Sequence, residues 1–106
     1  MKYQALASGD IDVTNAYTTD AQLANPETQV VTLEDDKHLQ VNYFCSTVVR
    51  QDALETFPGL EEALLKMDGI LSDLEMASLN YQVEVEGRDE RDVARDFLVE
   101  KGVLGD

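Results

Sequence analysis

The sequence has few of the residues on which catalytic and metal sites depend. Its 106 residues include one cysteine and one histidine. A single cysteine cannot form an intramolecular disulfide, so cysteine usage does not identify a redox compartment. Cys45 lies in an apolar run with no partner histidine, and we expect a buried structural thiol rather than a nucleophile. His38 ends an acidic run at 34–38 whose consecutive carboxylates do not project toward one centre, which favours a solvated turn over a metal site.

Catalytic motifs are also missing. The sequence has no glycine-rich phosphate loop, nucleophile elbow, HExxH or CxxC. Ser46 and Ser72 have no histidine and acid at a recognisable spacing, and a small acidic enzyme would need a nucleophile–base pair. The sequence therefore predicts no catalytic residue, no metal ligand and no cofactor.

Basic residues are scarce as well. Eight lysines and arginines stand against 22 acids, which gives a formal charge of −14. A field of that sign repels phosphate, so we expect no nucleic-acid partner and no attraction to anionic membrane surfaces. No apolar run approaches the roughly 18 residues that a membrane-spanning helix needs. Met1 and Lys2 lead directly into a helical pattern, from which we expect no signal peptide in this chain.

The hydrophobic pattern predicts an α/β protein of one domain, residues 1–106, with few strands and helices packed on them. Apolar and β-branched residues predict short strands at 11–16, 30–33 and 43–49, and an extended segment at 80–86. Ser72 and Glu75 have the spacing of a capping box. Helices are predicted at 3–8, 21–24, from 51 to 57, at 60–67, at 72–79 and at 89–100.

Three stretches carry a resemblance to a known family: YQALASGDIDVTNAYTTDAQL, VTLEDDKH, and residues 48–104. They resemble the C-terminal part of the substrate-binding proteins of glycine betaine/carnitine/choline ABC transporters, the osmoprotectant importers. The resemblance implies a fragment of a bilobed, type II-like periplasmic-binding-protein fold with ligand between the lobes. Residues 1–16 would be the tail of lobe two and a hinge strand, and residues 17–106 the C-terminal part of lobe one. After DDKH the usual aromatic-proline stretch is replaced, and only Tyr43 keeps its type.

A quaternary ammonium ligand cannot donate hydrogen bonds, and aromatic faces hold it at about 0.5–2 kcal/mol per contact. Tyr17, at a strand end, is the first candidate for one wall of such a cage, the alternative being a packed hinge tyrosine. Tyr43 is a second candidate. Asn15 could either orient the strand end or face the cleft, and the Thr18 hydroxyl could bind a ligand carboxylate. For Thr18, Thr19 and Asp20 together, the pattern favours an N-cap of the next helix over a ligand contact.

The resemblance implies part of the ligand-binding component of an importer for glycine betaine, choline, carnitine or a similar compound, with ergothioneine as a variant. The partners would be a small quaternary amine and an ABC permease, either as a subunit or as a fused domain. The location would be the extracytoplasmic face of the cell membrane. The alternative is a structural fragment that folds alone, or as a homodimer through exposed edges, without transport activity.

Overall fold

A computed structural model describes residues 1–41 and 43–105. The helical elements follow one another in the order α1 (Lys2–Ser8), a short 3₁₀ helix (Ala21–Leu23), α2 (Gln51–Thr56), α3 (Leu60–Leu65), α4 (Asp73–Glu84) and α5 (Glu90–Glu100). The chain divides into two compact units. Residues 1–30 and those from 69 onward form the first, and Val31–Asp68 forms the second.

The core of the first unit is small and lies around α4, which contacts both the 3₁₀ helix and α5. Ala77 on α4 is fully buried, and Ala21 on the 3₁₀ helix is 3% exposed. Two alanines let the two backbones approach closely. On α5, Val93 and Phe97 are buried and lie four residues apart, so they share one helix face.

The predicted capping box at the start of α4 is confirmed. The Ser72 hydroxyl accepts a hydrogen bond from the Glu75 N–H at 3.3 Å, and the Ser72 N–H donates to Glu75 Oε2 at 2.8 Å. Lys101, just after α5, also bonds to Glu75. The hydrogen bond from Lys101, followed by those from Ser72, lowers the pKa of Glu75 to about 2. One carboxylate therefore joins the first turn of α4 to the end of α5.

Replacing Ser72 with alanine should lower the free energy of unfolding by about 1 kcal/mol, because the first turn of α4 loses its side-chain acceptor. Urea unfolding followed by circular dichroism measures this difference. Ser78, exposed in the middle of the same helix, is the matched control. Its replacement by alanine should change stability by less than about 0.5 kcal/mol. Equal effects at the two positions would argue against the cap.

The second unit contains α2 and α3, with irregular chain before them in its described residues. Gly59 precedes α3 with φ 88°, a left-handed conformation that glycine adopts without steric cost. In the acidic run, the Asp35 carboxylate accepts the N–H groups of Gln40 at 2.7 Å and Leu39 at 3.0 Å. These two bonds lower the pKa of Asp35. The run is thus a turn closed by its own aspartate, in agreement with the turn prediction.

The α/β prediction is wrong for this structure. In the described residues no β-strand is present, and the segments predicted at 11–16, 30–33 and 43–49 are irregular. A strand exists only when a neighbour completes its hydrogen bonds. Val31 and Val48 remain 85% and 93% exposed, so the described chain leaves these two β-prone residues largely uncovered.

The extended segment predicted at 80–86 is wrong for a different reason, because α4 continues to Glu84. The capping box starts the helix, and the burial of Ala77 holds its middle against the 3₁₀ helix. Once a helix is nucleated, each further residue adds a hydrogen bond at little entropic cost. The free energy gained from these hydrogen bonds outweighs the β preference of Val83, which lies within the helix.

Cys45 is exposed, which corrects the expected buried thiol. Its run is apolar, but it lies in the irregular part of the second unit, where neighbouring side chains are exposed too. None of the described helices combines the length and the apolar character required to cross a membrane. The division between two lobes at residues 16 and 17 stays a prediction.

Candidate functional site

A tight turn at residues 17–20 lies between α1 and the 3₁₀ helix in the chain. The Asp20 N–H donates to the Tyr17 carbonyl at 3.0 Å and closes the turn. The Tyr17 N–H donates in return to Asp20 Oδ2 at 3.4 Å. From α4, the Asn80 side-chain amide donates to the Thr19 carbonyl at 2.8 Å. The turn is therefore closed by its own backbone and tied to α4.

Asp20 also ties the turn to α1. Its Oδ2 atom accepts the Tyr3 hydroxyl at 2.7 Å and the Lys2 ammonium at 2.9 Å. Burial acts to raise the pKa of Asp20, but the bonds from Tyr3, Lys2 and the Tyr17 N–H outweigh it, so the pKa is lowered. Burial, and then the bond to the Asp20 carboxylate, raise the pKa of Tyr3 to about 12. Both shifts favour a charged Asp20 and a neutral Tyr3.

The expected helix cap needs correction at this point. Asp20 does occupy the N-cap position of the 3₁₀ helix, but among the described groups its carboxylate makes no bond to an N–H of that helix. The carboxylate instead accepts hydrogen bonds from Tyr3 and Lys2. A 3₁₀ helix of three residues offers few free N–H groups, whereas α1 brings a hydroxyl and an ammonium to the same oxygen.

A cavity of about 330 Å³ lies beside this turn. Its lining residues include two tyrosines, two acidic residues and one lysine. The Lys2 ammonium lies 5.1 Å from the centre of the Tyr3 ring and 2.9 Å from Asp20, so a ring and a carboxylate together hold a cation in this cavity. The lining residues are Lys2, Tyr3, Tyr17, Thr19, Asp20, Ala21, Gln22, Asn80 and Glu84.

Of the residues proposed from sequence, Tyr17 lines the cavity, and its side chain is 67% exposed. Asn15 and Thr18 are exposed, and the cavity lining, taken over the described residues, does not include them. Tyr43 belongs to the second unit and is 82% exposed. The structure thus brings Tyr17 together with Tyr3 in the lining of one cavity.

Sequence reasoning missed most of the cavity. Tyr3 and Asp20 are 17 residues apart, and Asn80 lies 61 residues from Thr19, so no local spacing connects them. One signal could have been used: Asn80 and Glu84 are four residues apart and share a face if their segment is helical. The strand prediction for 80–86 hid that relation.

The titration of Tyr3 gives a direct test of the contacts to Asp20. The folded pKa is raised from about 10 to about 12, so the stabilisation is complete below pH 10 and is lost as the pH rises through 12. Phenolate absorbance should show one of the four tyrosines ionising near pH 12. Asp20→Asn should lower that transition, and Tyr3→Phe should remove it. A Tyr3→Phe variant that keeps the late transition would refute the assignment.

Comparison with known families decides where the chain belongs. The model of the OpuAC family, described as the substrate binding domain of the ABC-type glycine betaine transport system, matches residues 1–100. The chain belongs to this family. The resemblance found in the sequence is therefore confirmed, and the turn, the cavity and α4 all lie within the part that matches the OpuAC domain.

Several proteins with curated names are similar to this OpuAC-family chain. It is 35% identical over 103 residues to the ergothioneine transport permease/ergothioneine binding protein EgtU of Helicobacter pylori strain G27, covering 97% of the chain and 18% of that protein. It is 31% identical to the carnitine transport binding protein OpuCC of Listeria monocytogenes strain 10403S, covering 91% of the chain and 30% of that protein. It is also 31% identical to the glycine betaine-binding protein YehZ of Escherichia coli K12, covering 96% of the chain and 33% of that protein. The chain thus spans a third or less of the length of these relatives, and no solved structure matches it.

Proposed function

We propose that the chain is part of the ligand-binding unit of an ABC importer for quaternary-ammonium compounds. The support is the family match over residues 1–100 together with the names of the relatives. Those names specify ergothioneine, carnitine and glycine betaine, which share a trimethylammonium group. Choline carries the same group and belongs to the proposed ligand class. The function is binding and release, with no covalent step.

The single structural observation that carries this proposal, beside the family match, is the cavity next to Tyr17. A trimethylammonium group has no N–H to donate, so its recognition rests on ring faces and on nearby negative charge. Tyr17 and Glu84 bring a ring and a carboxylate to a cavity of about 330 Å³, in which Tyr3 and Asp20 already hold the Lys2 ammonium. That volume is within the range of about 300–1,000 Å³ typical of small-molecule sites. Tyr17 is proposed as the ring that contacts the ligand.

Asn15 and Thr18 are further proposed ligand contacts in the first unit, and Tyr43 is a separate proposed contact in the second unit. Thr18 has a hydroxyl that a ligand carboxylate could use, Asn15 a side-chain amide, and Tyr43 an exposed ring. Their replacement by alanine, one at a time, in the binding assay described below would assign or dismiss each of them. Replacement of a residue that contacts the ligand should weaken binding about threefold or more, which is the effect of losing one hydrogen bond or one cation–π contact.

The proposed partner is an ABC permease, as a separate subunit or a fused domain, at the extracytoplasmic face of the membrane. The name of the Helicobacter relative joins a permease and a binding protein. Closure of a binding domain over its ligand, by a hinge motion, would be the step that the permease recognises.

Isothermal titration with choline, glycine betaine, carnitine and ergothioneine tests the proposal. 3,3-Dimethylbutan-1-ol, the uncharged isostere of choline, is the matched control ligand. At least one of the four amines should bind, and choline should bind about tenfold more tightly than its isostere because of cation–π attraction. A chain that is helical by circular dichroism and gives no heat with any of the four would contradict the proposal.

A second candidate, a homodimer through exposed edges, is favoured by one observation in the second unit. Phe44, Val48 and Tyr43 are 86%, 93% and 82% exposed. Exposed apolar segments of β-prone sequence are typical sites of edge pairing between chains. Light scattering behind a sizing column distinguishes the dimer from a monomer, and a monomer at every concentration measured would exclude a stable dimer.

A further inference from the structure

We propose that Asp20 is a positioning residue, which with Asn80 holds the turn at residues 17–20 between α1 and α4 and so fixes the ring of Tyr17 in the cavity. This inference rests on the proposed function, in which Tyr17 contacts the ligand. It adds two residues to the site that need not touch the ligand themselves.

The first step concerns Tyr17 itself. Its side chain is 67% exposed, so packing around the ring restrains it only in part. The direction of the ring must then depend on the backbone from which it projects. A cation–π contact requires the cation to lie over the ring face, within about 6 Å of its centre, so a ring that samples several directions is a poor binder.

The second step concerns the side of the turn toward α1. One oxygen of Asp20 accepts three donors: the Tyr3 hydroxyl, the Lys2 ammonium and the Tyr17 N–H. Hydrogen bonds to a charged carboxylate are stronger than those between neutral groups. The Tyr17 backbone is therefore bonded to the same atom that α1 holds by two side chains.

The third step concerns the side toward α4. The Asn80 amide donates to the Thr19 carbonyl at 2.8 Å, and both residues are half-buried. Asn80 lies on α4, which begins at the capping box and is held in its middle by the buried Ala77. The turn is thus attached on both sides to helices that are themselves held. Removal of either attachment should let the turn take other conformations and reduce the binding-competent fraction.

The test uses the full chain labelled with 3-fluorotyrosine, with the four resonances assigned by single Tyr→Phe variants. Without ligand, Asp20→Asn and Asn80→Ala should each move the Tyr17 resonance toward the value of free fluorotyrosine. In choline titrations of the unlabelled variants, affinity should fall about threefold to tenfold, as expected for one lost hydrogen bond. Tyr3→Phe, which removes one of three donors, should have a smaller effect of the same sign.

Two control variants separate positioning from stability. Val93→Ala weakens the core of the same unit on α5, away from the turn, and should lower the melting temperature without moving the Tyr17 resonance. Asp96→Asn removes the ion pair between Asp96 on α5 and Arg88, which precedes that helix, and should leave both readouts unchanged. If Val93→Ala moved the resonance as far as Asp20→Asn, a general loss of stability would explain the effect and the inference would be overturned.

The outcomes also separate this inference from the proposed function. A Tyr17 resonance that is unchanged in Asp20→Asn overturns the positioning role, whether or not the chain binds choline. A resonance that moves while choline affinity stays constant supports positioning of the ring but removes Tyr17 from the ligand site. A resonance that moves together with a weaker affinity supports both.

Discussion

Replacement of Phe97 by alanine is expected to lower the free energy of unfolding by about 3 kcal/mol or more. Phe97 is the largest of the four buried apolar residues of the described chain, and two of the others are alanines. Its ring also lies 5.3 Å from the Lys101 ammonium, a contact that alanine cannot make. Domains of this size are stable by about 5–15 kcal/mol, so the loss would remove a large part of the total.

Urea unfolding, followed by far-ultraviolet circular dichroism, measures this loss through α4 and α5. Leu74 on α4 is the matched control because it is apolar, helical and 78% exposed. Leu74→Ala should change the free energy of unfolding by less than about 0.5 kcal/mol. A Phe97→Ala variant as stable as Leu74→Ala would mean that the four buried residues do not form the core that stabilises α5.

Helices were predicted well where their ends are encoded locally. Ser72 and Glu75 mark the start of α4, and Asp89 accepts the N–H groups of Arg91 and Asp92 at the start of α5. Each of these caps depends on residues within three positions of one another, which a sequence shows directly. The end of α4 was placed too early because Val83 and Val85 alternate as strand residues do, although they continue or follow a helix.

Strands could not be predicted in the same way. The segments at 30–33 and 43–49 have a strand composition, but composition specifies only a tendency to pair. The described chain supplies no partner, and the relatives are about three times longer or more. The α/β prediction thus failed because strand formation depends on two paired segments, whereas composition describes each segment alone.

One of the four candidate ligand residues lines the cavity, and the role of all four as ligand contacts stays a prediction. The residues around Tyr17 carried the family resemblance, and Tyr17 does line a cavity. Tyr3, Asn80 and Glu84 were missed because tertiary contacts bring them there from distant parts of the chain. Asp20 was in view but was assigned to a helix cap, since the Thr-Asp pattern fits a local cap as well as a distant carboxylate–tyrosine pair.

Tyr17→Ala is expected to have the largest effect on ligand binding, a loss of about tenfold or more in affinity for choline in isothermal titration. The reason is the loss of an aromatic face from a cavity in which Tyr3 already has the Lys2 ammonium 5.1 Å from its ring. With Tyr3 engaged by Lys2, Tyr17 is the ring available to a second cation.

Tyr17→Phe is the decisive comparison, because phenylalanine keeps the ring and removes only the hydroxyl. If the ring face binds the cation, Tyr17→Phe should keep the affinity for choline within about threefold of the unmodified chain, since phenylalanine still supports cation–π contact. Tyr43→Ala, at the other candidate ring, shows whether any exposed tyrosine has the same effect. An equal loss in Tyr17→Ala and Tyr17→Phe would assign the interaction to the hydroxyl and exclude a cation–π role. Tyr17 would then contact the hydroxyl of choline, and the proposed contact with the trimethylammonium group would fail at this residue.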